Sequence, residues 1–277
     1  MEKNTILYFI TYLIVYSFAG WVLESIYKSI YTKKFVNSGF LIGPYCPIYG
    51  FGAIIMLLTL NFLKEKPVLL FLASVFILSC WEYLVGLFLE KVFKTKYWDY
   101  SNIKFNIHGR ICLKNSIYWG ILGLIFIEIL HPFVETQIDR LSEDVLVYTS
   151  TILGIAMIVD LVASVTTTIS FDEMIAKINE IGETIKEKAK ELTEREKIKT
   201  VAEGESNSEN IEGIIAKLKV EQAKLKIRIY KQANRLKKAF PTMKSEKISQ
   251  FLSEKIDLNK LKQNSKNKRK NERKMKG

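Results

Sequence analysis

Long apolar runs in the first 169 residues constrain the fold more than any other feature of this sequence. The hydrocarbon core of a bilayer, ~30 Å thick, needs about 20 mostly apolar residues in a helix. Runs of this length lack the alternation of half-buried strands. The sequence therefore predicts an all-α fold, a polytopic membrane helix bundle over residues 1–169. Its five predicted transmembrane helices lie at about residues 6–27, 48–63, 67–89, 113–133 and 145–169.

Charge separates the two parts of the chain. Residues 1–169 carry 13 Lys and Arg and 12 Asp and Glu, whereas residues 170–277 carry 28 and 17, so nearly all of the net charge of +12 lies in the second part. An ordinary soluble globular domain does not separate its charged and apolar residues in this way. The pattern is typical of a membrane protein with a large, basic polar extension.

The polar extension is predicted to be helical and then disordered. Apolar residues recur every three or four positions in residues 170–240, which predicts a cytoplasmic helical hairpin or coiled coil, with the polar residues 203–209 as a flexible link. Residues 241–277 are predicted to be a basic, largely disordered tail with a short helix over 244–256. The Lys and Arg residues of this tail would bind anionic lipids, and no nucleic acid is expected because no aromatic stacking platform accompanies them.

The basic residues of the short loops predict the orientation. Nine Lys and Arg lie in the loops after the first and third predicted helices, against four at the N-terminus and in the other two loops. This distribution predicts a multi-pass protein of the cell membrane with its N-terminus outside and its C-terminus in the cytoplasm. A cleaved signal over residues 1–19 is the alternative, but it fits less well because Lys3 is the only basic residue before the apolar run.

Five acidic residues lie in or at the ends of the apolar runs, where a lone charge is expensive. They are Glu24, Glu82, Glu90, Glu128 and Asp160. Glu82 and Asp160 have no basic residue near them on the same helix, which favours a functional polar site or, as the alternative, a buried structural ion pair. Glu24 lies at a similar predicted depth, although a local pair with Lys28 also explains it. Arg110 is the candidate cationic partner, so the predicted intramembrane polar site is Glu24, Glu82, Asp160 and Arg110.

The stretch from Gly39 to Gly52, GFLIGPYCPIYGFG, is rich in residues that interrupt helices. Proline cannot donate a backbone hydrogen bond, and irregular backbone at membrane depth is tolerated only where protein or a wet cavity surrounds it. The stretch is predicted to be either a broken helix that contributes to a binding site or an interfacial loop that enters the second helix through a proline. The residues of this motif are Gly39, Gly43, Pro44, Pro47, Tyr49 and Gly50.

A second polar motif follows the third predicted helix and consists of Trp98, Asp99, Tyr100 and Ser101. Short polar side chains of this kind form turns, and Trp and Tyr suit the headgroup region of a membrane. The motif is predicted to anchor the inner loop at the membrane surface. Docking of a cytoplasmic partner is the alternative.

No pattern of catalytic residues is recognisable. The sequence has no Gly-rich loop followed by Lys and Ser or Thr, so any ATPase has to be a separate chain. Its three cysteines and two histidines lack the spacing of a metal or redox site. We therefore predict no enzymatic activity, no cofactor and no metal.

Several motifs occur in an order that resembles a known family. They are Gly20-Trp21 with Glu24, the run from Gly39 to Gly50, the run from Trp98 to Ser101, and Asn106 to Gly109 followed by Ile111-Cys112-Leu113. Over roughly residues 10–165 they resemble the CmpB-like family of bacterial ABC-transporter type IV permeases. One departure is Ser38, where the resemblance leads us to expect an arginine.

The resemblance implies a permease-like component of an ABC-type transporter. A separate ATPase subunit is then the expected partner, and a homo-oligomer is expected because five helices are few for a self-sufficient transporter. The residues leave a second function open, that of a membrane-anchored interaction or scaffold protein. In that case the basic helical tail binds anionic lipid or a cytoplasmic partner.

Overall fold

The computed structural model describes residues 5–198 and 205–253, and these residues are mostly helical. The helices are α1 (Thr5–Thr32), α2 (Pro47–Leu60), α3 (Pro67–Phe93), α4 (Leu113–Ile125), α5 (His131–Asp139), α6 (Glu143–Ile169), α7 (Phe171–Ile198), α8 (Glu205–Ala239) and α9 (Glu246–Ser253). Two short strands, β1 (Asn106–Ile107) and β2 (Ile111–Cys112), pair antiparallel in the loop before α4.

The described residues form two compact units. The bundle unit contains residues 5–166 together with Arg235–Glu246, and the tail unit contains the remaining described residues. We call Arg235–Glu246 the C-terminal segment. It comprises the end of α8 and the turn that follows, so a stretch remote in sequence completes the bundle unit.

Four helical stretches are long and apolar enough to cross a membrane, which makes the chain a membrane protein. They are Thr5–Thr32, Pro67–Phe93, Leu113–Asp139 and Glu143–Ile169. The second predicted transmembrane helix is shorter: α2 has 14 residues, or about 21 Å at 1.5 Å per residue, and a three-residue 3₁₀ turn follows it. The fourth predicted helix extends beyond residue 133 to Asp139, because a π-helical turn at Phe126–Leu130 joins α4 to α5.

The π-helical turn has a local cause in Pro132. Proline cannot donate the hydrogen bond that would continue an α-helix into the preceding turn, and π turns relieve such a mismatch inside long helices. The turn precedes the buried His131, whose Nδ1 lies 2.8 Å from the Tyr16 hydroxyl of α1. A polar contact between α1 and α5 thus lies next to the helix distortion.

Small residues bring the helices of the bundle close together. A Cβ added at Gly20 of α1 would lie 2.3 Å from Tyr49 Cβ of α2, and one added at Gly123 of α4 would lie 2.2 Å from Ser74 Oγ of α3. Such close backbone approach is the usual packing mode of membrane helices. The buried apolar residues around these contacts include Tyr12, Tyr16, Met56, Leu60, Leu70, Leu78, Phe126 and Ile127.

The tail unit contains a helix pair. Lys177 Nζ of α7 lies 3.2 Å from Glu221 Oε1 of α8, and Gln222 Nε2 donates to the Ile178 carbonyl at 3.0 Å. Both contacts lie about five helical turns from the connection between the helices, so α7 and α8 run antiparallel. The prediction of a link over 203–209 is wrong from Glu205 onward, because α8 begins there; residues 199–204 lie outside the described residues.

One helix lies in the predicted basic tail. Helix α9 (Glu246–Ser253) falls within the predicted short helix over 244–256, and the Phe251 ring packs edge-on against the Phe171 ring at 6.1 Å between centroids. The remainder of the predicted basic tail, residues 254–277, lies outside the described residues, and so do the Lys and Arg residues in it that are predicted to bind lipid.

Candidate functional site

The loop between α1 and α2, residues 33–46, folds back into the bundle. We call it the re-entrant segment. The Ser38 amide donates to Ser25 Oγ at 3.2 Å, and the Cys46 amide donates to the Ser17 carbonyl at 2.9 Å. Ser17 lies near the middle of α1, about 22 Å from its end at Thr32. The chain therefore returns as irregular backbone to the middle of a spanning helix before α2 begins at Pro47.

The predicted glycine and proline motif divides between two structures. Gly39, Gly43 and Pro44 lie in the re-entrant segment, whereas Pro47 starts α2, and Tyr49 and Gly50 lie within that helix. Proline suits this first helical position because its missing N–H would have no helical partner there.

The re-entrant segment is partly buried in the bundle. Val36, Leu41 and Cys46 are buried, and Ser38 is fully buried. Gly39 has a φ of +92°, a conformation that residues with a Cβ rarely adopt. A Cβ at this position would also lie 2.6 Å from Cys46 Sγ. Tight packing around a left-handed residue explains why glycine is needed here.

Charged side chains bind the backbone of the re-entrant segment from two directions. The Ile42 amide donates to Asp160 Oδ1 at 2.9 Å, and the Gly43 amide donates to Asp160 Oδ2 at 2.6 Å. On the other side, the Arg235 guanidinium donates to the Leu41 and Phe40 carbonyls at 2.8 Å each and to the Gly39 carbonyl at 3.4 Å. Irregular backbone at membrane depth needs such partners because lipid provides none.

Glu24 joins α1 to the other end of the re-entrant segment. Its Oε1 accepts from Lys28 Nζ at 2.6 Å, the local i,i+4 pair that the sequence suggests, and its Oε2 accepts from Cys46 Sγ at 3.6 Å. Lys28 also donates to the Ala239 carbonyl and lies 5.0 Å from the centroid of the Phe240 ring. Two of the predicted acids, Glu24 and Asp160, therefore contact the same segment.

Glu82 lies in a separate cage of uncharged donors. Its side chain is buried, with the residue 4% exposed. It accepts hydrogen bonds from Trp119 Nε1 at 2.9 Å, from Asn115 Nδ2 at 2.9 and 3.1 Å and from the Tyr100 hydroxyl at 3.2 Å. Among residues 5–198 and 205–253, no basic side chain forms an ion pair with Glu82. A cavity of about 30 Å³ lies beside it, lined partly by Tyr49 and Trp81, large enough for about one water molecule.

Arg110 pairs with Glu90 and not with the acids of the predicted polar site. Its Nε and Nη2 lie 3.0 and 2.9 Å from Glu90 Oε2, and its guanidinium packs 5.3 Å from the centroid of the Tyr83 ring. This pairing has a simple cause, because the β1–β2 loop holds Arg110 beside the end of α3, where Glu90 lies. Glu82 is eight residues earlier on that helix, about 12 Å away along the axis.

The inner-loop motif links the bundle to the C-terminal segment. Asp99 Oδ1 accepts from the Ser101 hydroxyl at 2.6 Å and from Lys96 Nζ at 2.7 Å, and its Oδ2 accepts from Lys244 Nζ at 2.5 Å. Tyr100 reaches Glu82, and Trp98 Nε1 donates to the Arg110 carbonyl at 2.9 Å. The turn that the sequence predicts is present, and its Asp99 also binds Lys244 of the C-terminal segment.

Backbone contacts reinforce this attachment. Lys96 and Lys244 exchange two backbone hydrogen bonds of 3.0 and 2.8 Å, and the Phe240 ring packs edge-on against the Tyr97 ring at 5.1 Å between centroids. Sequence reasoning missed Arg235, Lys244, Asn115 and Trp119. Asn115 and Trp119 share one face of α4 at i,i+4 spacing, a signal that could have identified a polar face, whereas no local signal marks Arg235.

Asp99 makes stability depend on pH. Burial by itself raises its pKa, but hydrogen bonds from Lys244, Lys96 and Ser101 outweigh burial and hold the pKa well below its ordinary value. A group with a lowered folded pKa stabilises the fold above its unfolded pKa of about 4, and this contribution is lost as the pH falls further. We expect Asp99→Asn to destabilise the protein by about 1–3 kcal/mol at neutral pH and the difference from wild type to shrink between pH 5 and pH 3.

Thermal unfolding in detergent over this pH range measures the effect. Glu183→Gln is the matched control, because Glu183 forms an exposed ion pair with Lys186 in which both side chains are more than 60% exposed. The control should follow the pH profile of the wild type. An Asp99→Asn profile parallel to that of the wild type would contradict the assignment.

The apolar spanning helices define the class of the protein, which is an integral membrane protein. A family model described as "Putative ABC-transporter type IV" matches residues 11–165. The match covers more than half of the 277 residues, and the chain belongs to this family, which confirms the resemblance seen in its motifs. The matched region contains the re-entrant segment, Glu82 and Asp160, and it ends before the C-terminal segment. No curated protein sequence and no solved structure matches the chain.

Proposed function

We propose that the chain is the permease-like membrane component of an ABC-type transporter and that the re-entrant segment lines its substrate path. The observation that carries the proposal is the packing of irregular backbone beside the middle of α1, with Asp160 bound to the Ile42 and Gly43 amides. Transporters use interrupted helices of this kind to direct backbone polar groups towards substrates and ions.

The proposed topology has five passes, of which the second is composite. Helix α2, at about 21 Å, covers about two thirds of the crossing, and the re-entrant segment covers the rest, since α2 alone is too short to span ~30 Å. This count gives an N-terminus outside the cell and a C-terminus in the cytoplasm. It is supported by contacts of the C-terminal segment with Lys28 and Lys96, two of the basic residues that the positive-inside rule assigns to the cytoplasm.

Energy from ATP has to come from another subunit under this proposal, because the sequence contains no Walker motif. The small bundle also argues for assembly with a second membrane subunit or a second copy. Helix α6 is the best candidate surface for such assembly, since it contributes few buried residues to the bundle, among them Leu146, Ser150 and Ser164.

Co-extraction tests the proposal. The tagged full-length chain is extracted from its natural host in several mild detergents, and the co-purifying proteins are quantified by mass spectrometry. We expect a stoichiometric ATPase that carries a Walker motif, absent from a parallel extraction of an unrelated tagged multi-pass protein. Recovery of the chain without any ATPase in every detergent would overturn the ABC-type assignment.

A second function, that of a membrane-anchored interaction protein, is favoured by the α7–α8 hairpin. Its outer faces carry exposed charges such as Lys186, Glu183 and Lys190, which suit a protein or lipid surface. The same extraction distinguishes the two functions. A stoichiometric partner without an ATP site would support the interaction protein.

A further inference from the structure

Three consecutive carbonyl groups of the re-entrant segment converge on one cation. Gly39, Phe40 and Leu41 all present their carbonyl oxygens to the Arg235 guanidinium. Nη1 reaches the Leu41 and Gly39 oxygens and Nη2 reaches the Phe40 oxygen, so the planar fork bridges neighbouring acceptors. These partly buried carbonyls need hydrogen-bond donors, since buried polar groups left unpaired are costly.

The charge around these carbonyls is also suited to a cation. The next two residues, Ile42 and Gly43, turn their amides away towards Asp160, and this carboxylate acts electrostatically on Arg235. The peptide groups from residue 39 to residue 43 therefore present acceptors on one side and are held by an acid on the other. Gly39 makes this arrangement possible through its positive φ.

We propose that the carbonyl groups of Gly39, Phe40 and Leu41 form a guanidinium-binding site that Arg235 of the chain's own C-terminal segment occupies. The carboxylate of Asp160, on the other side of the segment, adds negative electrostatic potential to the site. The site is built for a planar donor rather than a point charge. A guanidinium group can hydrogen-bond two or more carbonyls at once in a fixed fork, whereas an ammonium directs its donors from a single nitrogen. The proposal rests on contacts within the bundle unit and does not depend on transport.

The site has a consequence for the C-terminal segment. Arg235 lies near the end of α8, a few residues before the contacts of Phe240 with Tyr97 and of Lys244 with Asp99. A soluble guanidinium compound at sufficient concentration competes with Arg235 and loosens the hold of the C-terminal segment on the re-entrant segment. The chain thus contains its own competing ligand for the site.

Chemical rescue tests the proposal. Full-length Arg235→Ala is purified in detergent, and its thermal unfolding is measured with guanidinium chloride at millimolar concentration, well below denaturing levels. We expect the variant to unfold several degrees below the wild type and guanidinium to restore part of that loss. Urea, which has the same planar shape without charge, and sodium chloride at equal ionic strength should restore nothing.

Two variants control for unspecific effects. Arg228→Ala removes an exposed arginine from the same helix, and guanidinium should not stabilise it. Adding Asp160→Asn to Arg235→Ala should weaken the rescue, because the neighbouring negative charge is removed. Equal stabilisation by urea or salt, equal stabilisation of Arg228→Ala, or no response of Arg235→Ala to guanidinium would each overturn the proposal.

A second readout does not depend on obtaining a well-folded Arg235→Ala. Cys46 lies in the re-entrant segment and is buried, with 2% of its surface exposed, so its modification by a water-soluble maleimide reports opening of the segment. In Arg235→Lys we expect labelling of Cys46 to be about 10- to 100-fold faster than in the wild type, the change expected for loss of one charge-assisted hydrogen bond. Guanidinium should slow the labelling of Cys46 in this variant. Labelling at the wild-type rate with no guanidinium response would contradict the site.

Discussion

Gly50→Ala is expected to force α1 and α2 apart and to lower the free energy of unfolding by about 3 kcal/mol, the upper end of the usual cost of overpacking. A Cβ at Gly50 would lie 2.2 Å from Ser17 Oγ and 2.5 Å from the Leu13 carbonyl oxygen. Because the second of these atoms belongs to the backbone of a spanning helix, a side-chain rotation cannot relieve the overlap. The Ser17 carbonyl also accepts the hydrogen bond from Cys46, so the displacement reaches the end of the re-entrant segment.

Thermal unfolding of the purified protein in detergent measures this effect. Gly213→Ala is the matched control, because a Cβ at Gly213 would meet no atom within 4 Å. Alanine is favoured over glycine in an exposed helix by roughly 0.5–1 kcal/mol, so the control should be unchanged or slightly more stable. Equal unfolding temperatures for Gly50→Ala and the wild type would show that the helices are less closely packed than described.

Glu82→Leu is expected to destabilise the bundle by about 3–6 kcal/mol, since each buried donor left unpaired costs roughly 1–3 kcal/mol. The substitution removes the acceptor for Trp119, Asn115 and Tyr100 together. Glu82→Gln should cost less, because it keeps one oxygen as an acceptor, although its new amide group then points at a donor. Both variants are measured by unfolding in detergent.

A double variant tests whether the loss of stability in Glu82→Leu comes from the unpaired donors around residue 82. Asn115→Leu in the Glu82→Leu background removes one of the unpaired donors, so part of the lost stability should return. Glu128→Gln is the control for removing an acid from a membrane helix, because Glu128 is exposed and should tolerate the change. If Glu82→Leu is as stable as the wild type, the cage has no structural role, and loss of transport without loss of stability would indicate a role in the substrate path.

The membrane helices and the motifs could be predicted from the sequence because their signals are local. Hydropathy over about 20 residues identifies a span, and glycine and proline mark where the helix is interrupted. The second predicted helix shows the limit of this reasoning. An apolar run at 48–63 predicts a full spanning helix, but α2 has 14 residues, about 21 Å, and the residues before it pack as irregular backbone against Ser17 and Ser25.

The hydrogen-bond and ion-pair partners of the polar residues were much harder to predict from the sequence. Glu24 pairs with Lys28 as its i,i+4 spacing suggests, because both lie on one helix. Arg110 instead binds Glu90, and the cation that reaches the re-entrant segment comes from Arg235, almost 200 residues away in sequence. The fully buried Ser38, where the family resemblance leads us to expect arginine, lies next to the carbonyls that Arg235 binds.

The sequence by itself determined that this chain is a helical membrane protein of the ABC-transporter type IV family and that its polar residues concentrate around Gly39–Gly52 and the inner loop. These properties depend on hydropathy and on residue order, which are local. Only the tertiary structure decided that Asp160 and Arg235 hold opposite sides of one irregular segment, that Glu82 lies among uncharged donors, and that the C-terminal segment belongs to the bundle unit. The physical reason is that hydrogen bonds and ion pairs act over a few ångströms, so their partners are set by the packing of helices that the sequence separates widely.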